Sequence, residues 1–223
     1  MNNNIRSFSV RRSGFDSIFI NKVLVNTYLL LSSTILFSAV MAFISIKSFA
    51  KPVGFLPMIV IYIFLLFCIE YFKKTVFSLF FVFALTGFLG YYIGPYINHF
   101  LYVKNGAQIL FMALFLTGVI FLSLSFYVFI TKKNFSFLSN FLFVGSLVII
   151  FCIIFNLFFH IKLLHVLISG FFIIFSSASI LYHISSVINE GETDYINVTI
   201  SLYLSLYNIF LSLLNILGII NND

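Results

Sequence analysis

Seven long apolar runs, separated by short polar or charged breaks, make up almost the whole of the 223-residue chain. A helix needs about 20 predominantly apolar residues to cross a hydrocarbon core of about 30 Å. We place the spans at residues 24–46, 54–72, 75–98, 107–131, 138–159, 163–188 and 196–218. The pattern therefore predicts an all-α membrane protein built as a seven-transmembrane-helix bundle.

The spans leave a polar N-terminal tail, residues 1–23, and a short C-terminal tail, residues 219–223, around one transmembrane domain, residues 24–218. Within the first tail, residues 1–21 carry Arg6, Arg11 and Arg12 and lack apolar periodicity, so we expect them to be disordered and exposed to the cytoplasm. The first apolar run exceeds the roughly 7–15-residue core of a signal peptide and has no clear small-residue cleavage site. We therefore expect this run to be retained as a span.

The composition excludes several classes of protein. With 62% hydrophobic and 8% charged residues and a mean hydropathy of +1.16, the chain departs far from soluble proteins. The net charge of +6 does not indicate nucleic-acid binding, because the basic residues lie in the tail and the short breaks rather than on one face. Cys68 and Cys152 lie far apart inside apolar runs and predict neither a disulfide nor a metal site.

No nucleophile–base pattern, phosphate-binding loop or zinc-protease motif occurs, so we expect no enzyme and no cofactor.

The distribution of basic residues predicts the orientation of the bundle. Lys and Arg are retained on the cytoplasmic side of a membrane. One side, which includes the N-terminal tail, holds eight of them, and the opposite side holds four: Lys47, Lys51, Lys104 and Lys162. The N-terminus is therefore predicted to be cytoplasmic and, with seven spans, the C-terminus periplasmic.

Polar residues recur at helical spacing in the last two spans. The seventh span carries Asn197, Ser201, Ser205, Asn208, Ser212 and Asn215, and the sixth carries Ser176, Ser179, His183 and Ser186. Polar side chains in hydrocarbon need partners, so we expect both stripes to face the bundle interior and each other. One interpretation is helix packing through small polar residues. The other is a pH-sensing or ion pathway past His183, although this residue is close enough to the span end to reach interfacial water.

Four further groups of residues stand out elsewhere in the chain. In the third span, Gly87, Gly90 and Gly94 followed by Pro95 predict close helix packing and a possible kink. Glu70 has basic residues three and four positions later, which indicates a solvated ion pair. The turn between the last two spans is acidic and carries Glu190, Glu192 and Asp194. His160 and His165 have a poor spacing for shared metal ligation.

The stretch from Ile180 to Gly218, ILYHISSVINEGETDYINVTISLYLSLYNIFLSLLNILG, resembles the C-terminal signature of the Bax inhibitor-one family, TMBIM-like proteins, and most closely its bacterial YccA branch. Residues 22–40, 86–98 and 125–138 support the same resemblance in order along the chain. The resemblance implies a seven-helix bundle in the bacterial inner membrane with a cytoplasmic N-terminus.

Two activities are attached to this family. The YccA branch is similar to proteins that bind and restrain the membrane-anchored ATP-dependent protease FtsH, which is the function we expect, through helix faces, the basic tail and the acidic turn. The alternative is a pH-sensitive calcium or proton leak channel. Leak members use two aspartates that fall on His183 and Ser205 here, so both carboxylates are missing and calcium is disfavoured. If the stripes face one another, we expect these two residues to form a hydrogen-bonded pair.

Overall fold

The computed structural model describes residues 3–52, 54–73, 75–159 and 162–222, with side chains for all of these except 3–19, 55, 157–159, 162, 163 and 222. All regular secondary structure in this part of the chain is helical. The helices are α1 (Asn3–Lys47), α2 (Phe55–Tyr71), α3 (Phe77–Leu101), α4 (Gly106–Thr131), α5 (Leu138–Phe159), α6 (Lys162–Ser185) and α7 (Tyr195–Asn222). A π-helical turn, Ser186–Glu190, continues α6.

Each apolar run corresponds to one helix, so the predicted all-helical fold class is confirmed for the described residues. Six of the helices are long and apolar enough to cross a membrane. Helix α2 is the exception, because its 17 residues make it shorter than each of the other six apolar helices. The outward surface carries large apolar side chains. Leu36, Phe111 and Phe151, for example, are 68–71% exposed on the surface of the protein itself. Such a surface is stable only in contact with hydrocarbon.

The prediction of a disordered N-terminal tail is wrong for residues 3–21, which form the first turns of α1. No proline interrupts the sequence between Asn3 and Lys47. Once a helix is nucleated, each further residue adds a backbone hydrogen bond, so the membrane-spanning part of α1 extends towards the N-terminus. The side chains of Arg6, Arg11 and Arg12 lie outside the described ones.

The last helix occupies the centre of the bundle. Helix α7 contacts α1, α3, α4 and α6, and its Leu202, Ile209 and Leu214 are fully buried. Helices α2 and α5 are peripheral, since among the described residues α2 packs only against α3 and α5 only against α6. From Ser201 to Asn215, the polar stripe of α7 therefore lies inside the protein, as its pattern predicts, whereas Asn197 at its start is exposed.

The helix connections lie on two opposite faces. We call the face where α7 begins, near Asp194, the upper face, and the face where it ends, near Asn222, the lower face. On the upper face, Ser185 accepts a hydrogen bond from the Phe135 backbone N–H at 2.9 Å, which joins the end of α6 to the α4–α5 connection. On the lower face, the Asn221 amide donates to the Lys104 carbonyl at 2.9 Å.

The glycines of α3 lie against α1. A methyl group added at Gly90 would overlap the backbone carbonyl of Ser38, and one added at Gly94 would overlap the side chain of Ser45. Gly87 lies one turn earlier, against the ring of Phe37. Helices α1 and α3 run in the same direction and approach more closely than a larger residue would permit.

Candidate functional site

The predicted contact between the polar stripes of α6 and α7 is present in the structure. Ser205 Oγ lies 3.0 Å from Ser179 Oγ and 2.7 Å from the Ser201 carbonyl oxygen. Ser205 is the donor in both contacts, so its one proton is shared between the Ser179 hydroxyl and the nearer Ser201 carbonyl oxygen. This serine pair satisfies both side chains in the middle of the bundle.

The prediction that His183 and Ser205 form a hydrogen-bonded pair is wrong. Helices α6 and α7 are antiparallel, and the contact of Ser205 with Ser179 fixes their register. One turn further along α6, His183 comes level with Ser201 instead, closer to the upper face. A sequence motif places residues on a helix but does not determine the register between two helices.

His183 lines a cavity of about 310 Å³ that lies near the upper face. The same wall includes Glu190, Glu192 and Asn197, the first polar residue of the α7 stripe. A cation that approaches from this face meets the two carboxylates beside the imidazole. No three His, Cys, Asp or Glu side chains in the described part of the chain come together in a way that could hold a metal ion.

A larger cavity, about 830 Å³, lies near the lower face between α3, α5, α6 and α7. Helix α7 supplies Asn208, Ser212 and Asn215 to its wall, and α3 supplies Pro95. Helix α3 continues through this proline to Leu101, although proline cannot donate the backbone hydrogen bond of its turn. Along α7, the polar stripe therefore passes first the smaller cavity, then the serine pair and then the larger cavity.

Tyrosine hydroxyls attach α7 to its neighbours, which the sequence interpretation missed. Tyr203 donates to the Thr86 carbonyl oxygen of α3 at 3.2 Å and lies 2.7 Å from the Ser38 hydroxyl of α1. Tyr207 donates to the Leu89 carbonyl oxygen at 3.4 Å. The signal available in the sequence was the spacing of four between these tyrosines, which places both hydroxyls on the side of α7 facing α3.

An ion pair joins two connections on the upper face. The Lys73 ammonium lies 3.2 Å from Glu70, as the sequence predicts, and also 3.1 Å from Asp194, which the sequence did not indicate. Asp194 is in addition the N-cap of α7, since its carboxylate accepts from the backbone N–H groups of Ile196 and Asn197 at 3.1 Å. The hydrogen bonds to Asp194 and then Glu70 raise the pKa of Lys73. Lys74 and His160 lie outside the described residues.

Comparison with known proteins places these features in context. The family described as inhibitor of apoptosis-promoting Bax1 matches residues 20–222, which includes all seven apolar helices. The chain is 41% identical to the modulator of FtsH protease YccA of Escherichia coli over 203 residues, 91% of this chain and 92% of that protein.

Other bacterial relatives match over a similar length. An uncharacterized membrane protein of Vibrio cholerae is 40% identical over 206 residues, 91% of this chain and 92% of that protein. An uncharacterized Pseudomonas aeruginosa protein is 40% identical over 204 residues, 92% of each chain.

Proposed function

The chain belongs to the Bax inhibitor-1 family, and from this membership we propose that it binds and restrains the membrane-anchored protease FtsH. It is a multi-pass inner-membrane protein, like the relatives it matches. The observation that supports the proposal is its 41% identity, over 91% of its length, to a modulator of FtsH protease. In this role the protein is a regulator rather than an enzyme.

The bundle offers a structural reason why the chain would restrain a protease rather than be degraded by it. Residues 3–19 extend α1 beyond its apolar part, which begins at Ile20, and provide a basic segment that FtsH could engage. Behind that segment, α1 packs along α3 and α7. A protease that pulls on this end has to separate α1 from two helices before it can proceed.

The proposed orientation places this segment and the acidic turn on the same side as the protease. Helix α2 connects the lower face to the upper face, and its 17 residues extend for about 26 Å at about 1.5 Å per residue. We therefore propose seven crossings, with the upper face cytoplasmic. The basic residues Arg6, Arg11 and Arg12 and the acidic residues Glu190 and Glu192 would then all be accessible to FtsH.

Co-purification from membranes in mild detergent, with the full chain as bait and a proteolytically inactive FtsH, tests the proposal. We expect recovery of FtsH with the wild-type chain. Substitution of Arg6, Arg11 and Arg12 by Gln should lower it several-fold. The matched control replaces Lys47, Lys51 and Lys104 by Gln, which removes three charges from the opposite face.

FtsH turnover of a membrane substrate, measured in the presence of each variant, reports restraint separately from binding. Failure of the wild-type chain to recover FtsH would contradict the proposal. Equal recovery by both triple variants would exclude the basic segment as the contact.

A leak pathway is the second candidate, because the two cavities enter the bundle from opposite faces along α7, where residues 199–206, which include Ser205 of the serine pair, separate them. The serine hydroxyls offer no charge to attract a divalent cation. We expect little calcium flux through the native chain in liposomes with an entrapped calcium dye, and more after His183→Asp with Ser205→Asp. Strong native flux would favour the channel over the regulator.

A further inference from the structure

The larger cavity is enclosed by an incomplete ring of helices. Contacts join α3 to α7, α7 to α6, and α6 to α5, but the described residues give no contact between α5 and α3. Helix α5 lies at the edge of the bundle, where its Phe151 and Ile154 are 68% and 51% exposed. In a membrane these side chains face lipid, so the gap opens sideways towards the bilayer.

The wall of the cavity has the character of an amphiphile site. Most of its surface is apolar, with contributions from Ile153 and Phe172. None of the described residues that line it is Asp, Glu, Lys or Arg. The site therefore provides no charge to select an ion, but it offers neutral hydrogen-bonding groups among apolar side chains.

The polar groups near the mouth lie at the level where lipid headgroups occur. His99, Asn156 and His165 all line the cavity within a turn of a helix end on the lower face. Imidazole and amide N–H groups donate to phosphate oxygens. The amide oxygen of Asn156 is buried and has no donor among the described residues, so a ligand hydroxyl or ammonium group would provide the missing hydrogen bond.

We propose that this cavity binds one glycerophospholipid from the surrounding bilayer. An acyl chain passes through the gap between α3 and α5 and packs on the apolar wall. The headgroup lies at the mouth, where its phosphate accepts from the imidazoles and its hydroxyl or ammonium group donates to Asn156. A soluble phosphate ester would use only the mouth and leave the apolar wall empty.

Native mass spectrometry of the full chain, released from detergent at fixed activation energy, tests this inference. We expect one retained phospholipid per chain. Asn156→Leu keeps the branched shape of the side chain and removes the polar group, and should lower the lipid-bound fraction at least three-fold. The control is Asn140→Leu, the same substitution at an exposed position of α5, which should leave the fraction unchanged.

A second pair of variants tests occupancy of the cavity itself. Ser212→Phe fills it from α7 and should lower the bound fraction at least ten-fold, whereas Ser146→Phe, at a half-buried position of α5 that does not line the cavity, should not. If Ser212→Phe does not fold, the comparison of the two Asn variants decides. Equal lipid retention by Asn156→Leu and Asn140→Leu would overturn the proposal.

A competition experiment separates a lipid from a soluble ligand. Glycerol 3-phosphate at millimolar concentration has the phosphate but no acyl chain, so it should not displace the retained lipid. Complete displacement by this compound would show a soluble phosphate-ester site and refute the assignment to a bilayer lipid.

Discussion

The close approach of α1 and α3 predicts that the smallest possible enlargement at Gly90 destabilises the bundle. A methyl group at this position would overlap the backbone carbonyl of Ser38, which is not the flexible end of a side chain. Helix α1 must therefore move. The same displacement strains the contact between the Ser38 hydroxyl and Tyr203, which are 2.7 Å apart.

Gly118 in the middle of α4 is the matched control, because a methyl group there would meet no atom within 4 Å. Both Gly→Ala changes gain about 1 kcal/mol of helix propensity. Overpacking at Gly90 costs about 1–3 kcal/mol, and loss of one interhelical hydrogen bond adds about 0.6 kcal/mol. The gain is common to both variants, so Gly90→Ala should be about 1.5–3.5 kcal/mol less stable than Gly118→Ala.

Reversible unfolding in mixed detergent micelles, followed by circular dichroism, measures this difference directly. If Gly90→Ala is as stable as Gly118→Ala, the inferred contact between α1 and α3 is wrong. If the proposed resistance to extraction by FtsH depends on this contact, Gly90→Ala should also be degraded faster in cells, whereas Gly118→Ala should not.

Three further predictions concern the loops, the tyrosines and the topology. Asp194→Ala removes both the N-cap of α7 and the ion pair with Lys73 and should cost about 1–2 kcal/mol of unfolding free energy, whereas Asp194→Asn retains a cap and should cost about 0.5 kcal/mol. Because the pKa of Lys73 is raised above its ordinary value of 10.5, the contribution of its charge is complete at neutral pH and is lost as pH rises through the higher folded value. An Asp194→Asn penalty that vanishes near neutral pH would contradict this. Tyr203→Phe removes the hydroxyl shared by α1, α3 and α7 and should cost about 1 kcal/mol in the same unfolding assay, and an unchanged stability would show that the hydroxyl contributes nothing. Reporter fusions after Lys74 and after Lys104 should report opposite sides of the membrane, and a cytoplasmic signal from both would refute seven crossings.

The sequence by itself determined the helices and the inward face of α7. Apolar length and helical periodicity are local properties, so the seven runs predicted all seven helices, and the residues of α5 were predicted without error. The stripe from Ser201 to Asn215 had to be inside because polar groups in hydrocarbon need partners. The acidic turn and the glycines of α3 were visible for the same local reasons.

Only the tertiary structure decided which of these residues meet. The register of α6 on α7 pairs Ser205 with Ser179 rather than His183, because it depends on the packing of the whole interface and not on either helix alone. The contact of Lys73 with Asp194 joins residues 121 positions apart in the sequence, and no local pattern encodes that distance. The larger cavity exists because α3 and α5 do not touch in the described part of the chain, and an absence of contact is a property of the assembled bundle rather than of any one helix.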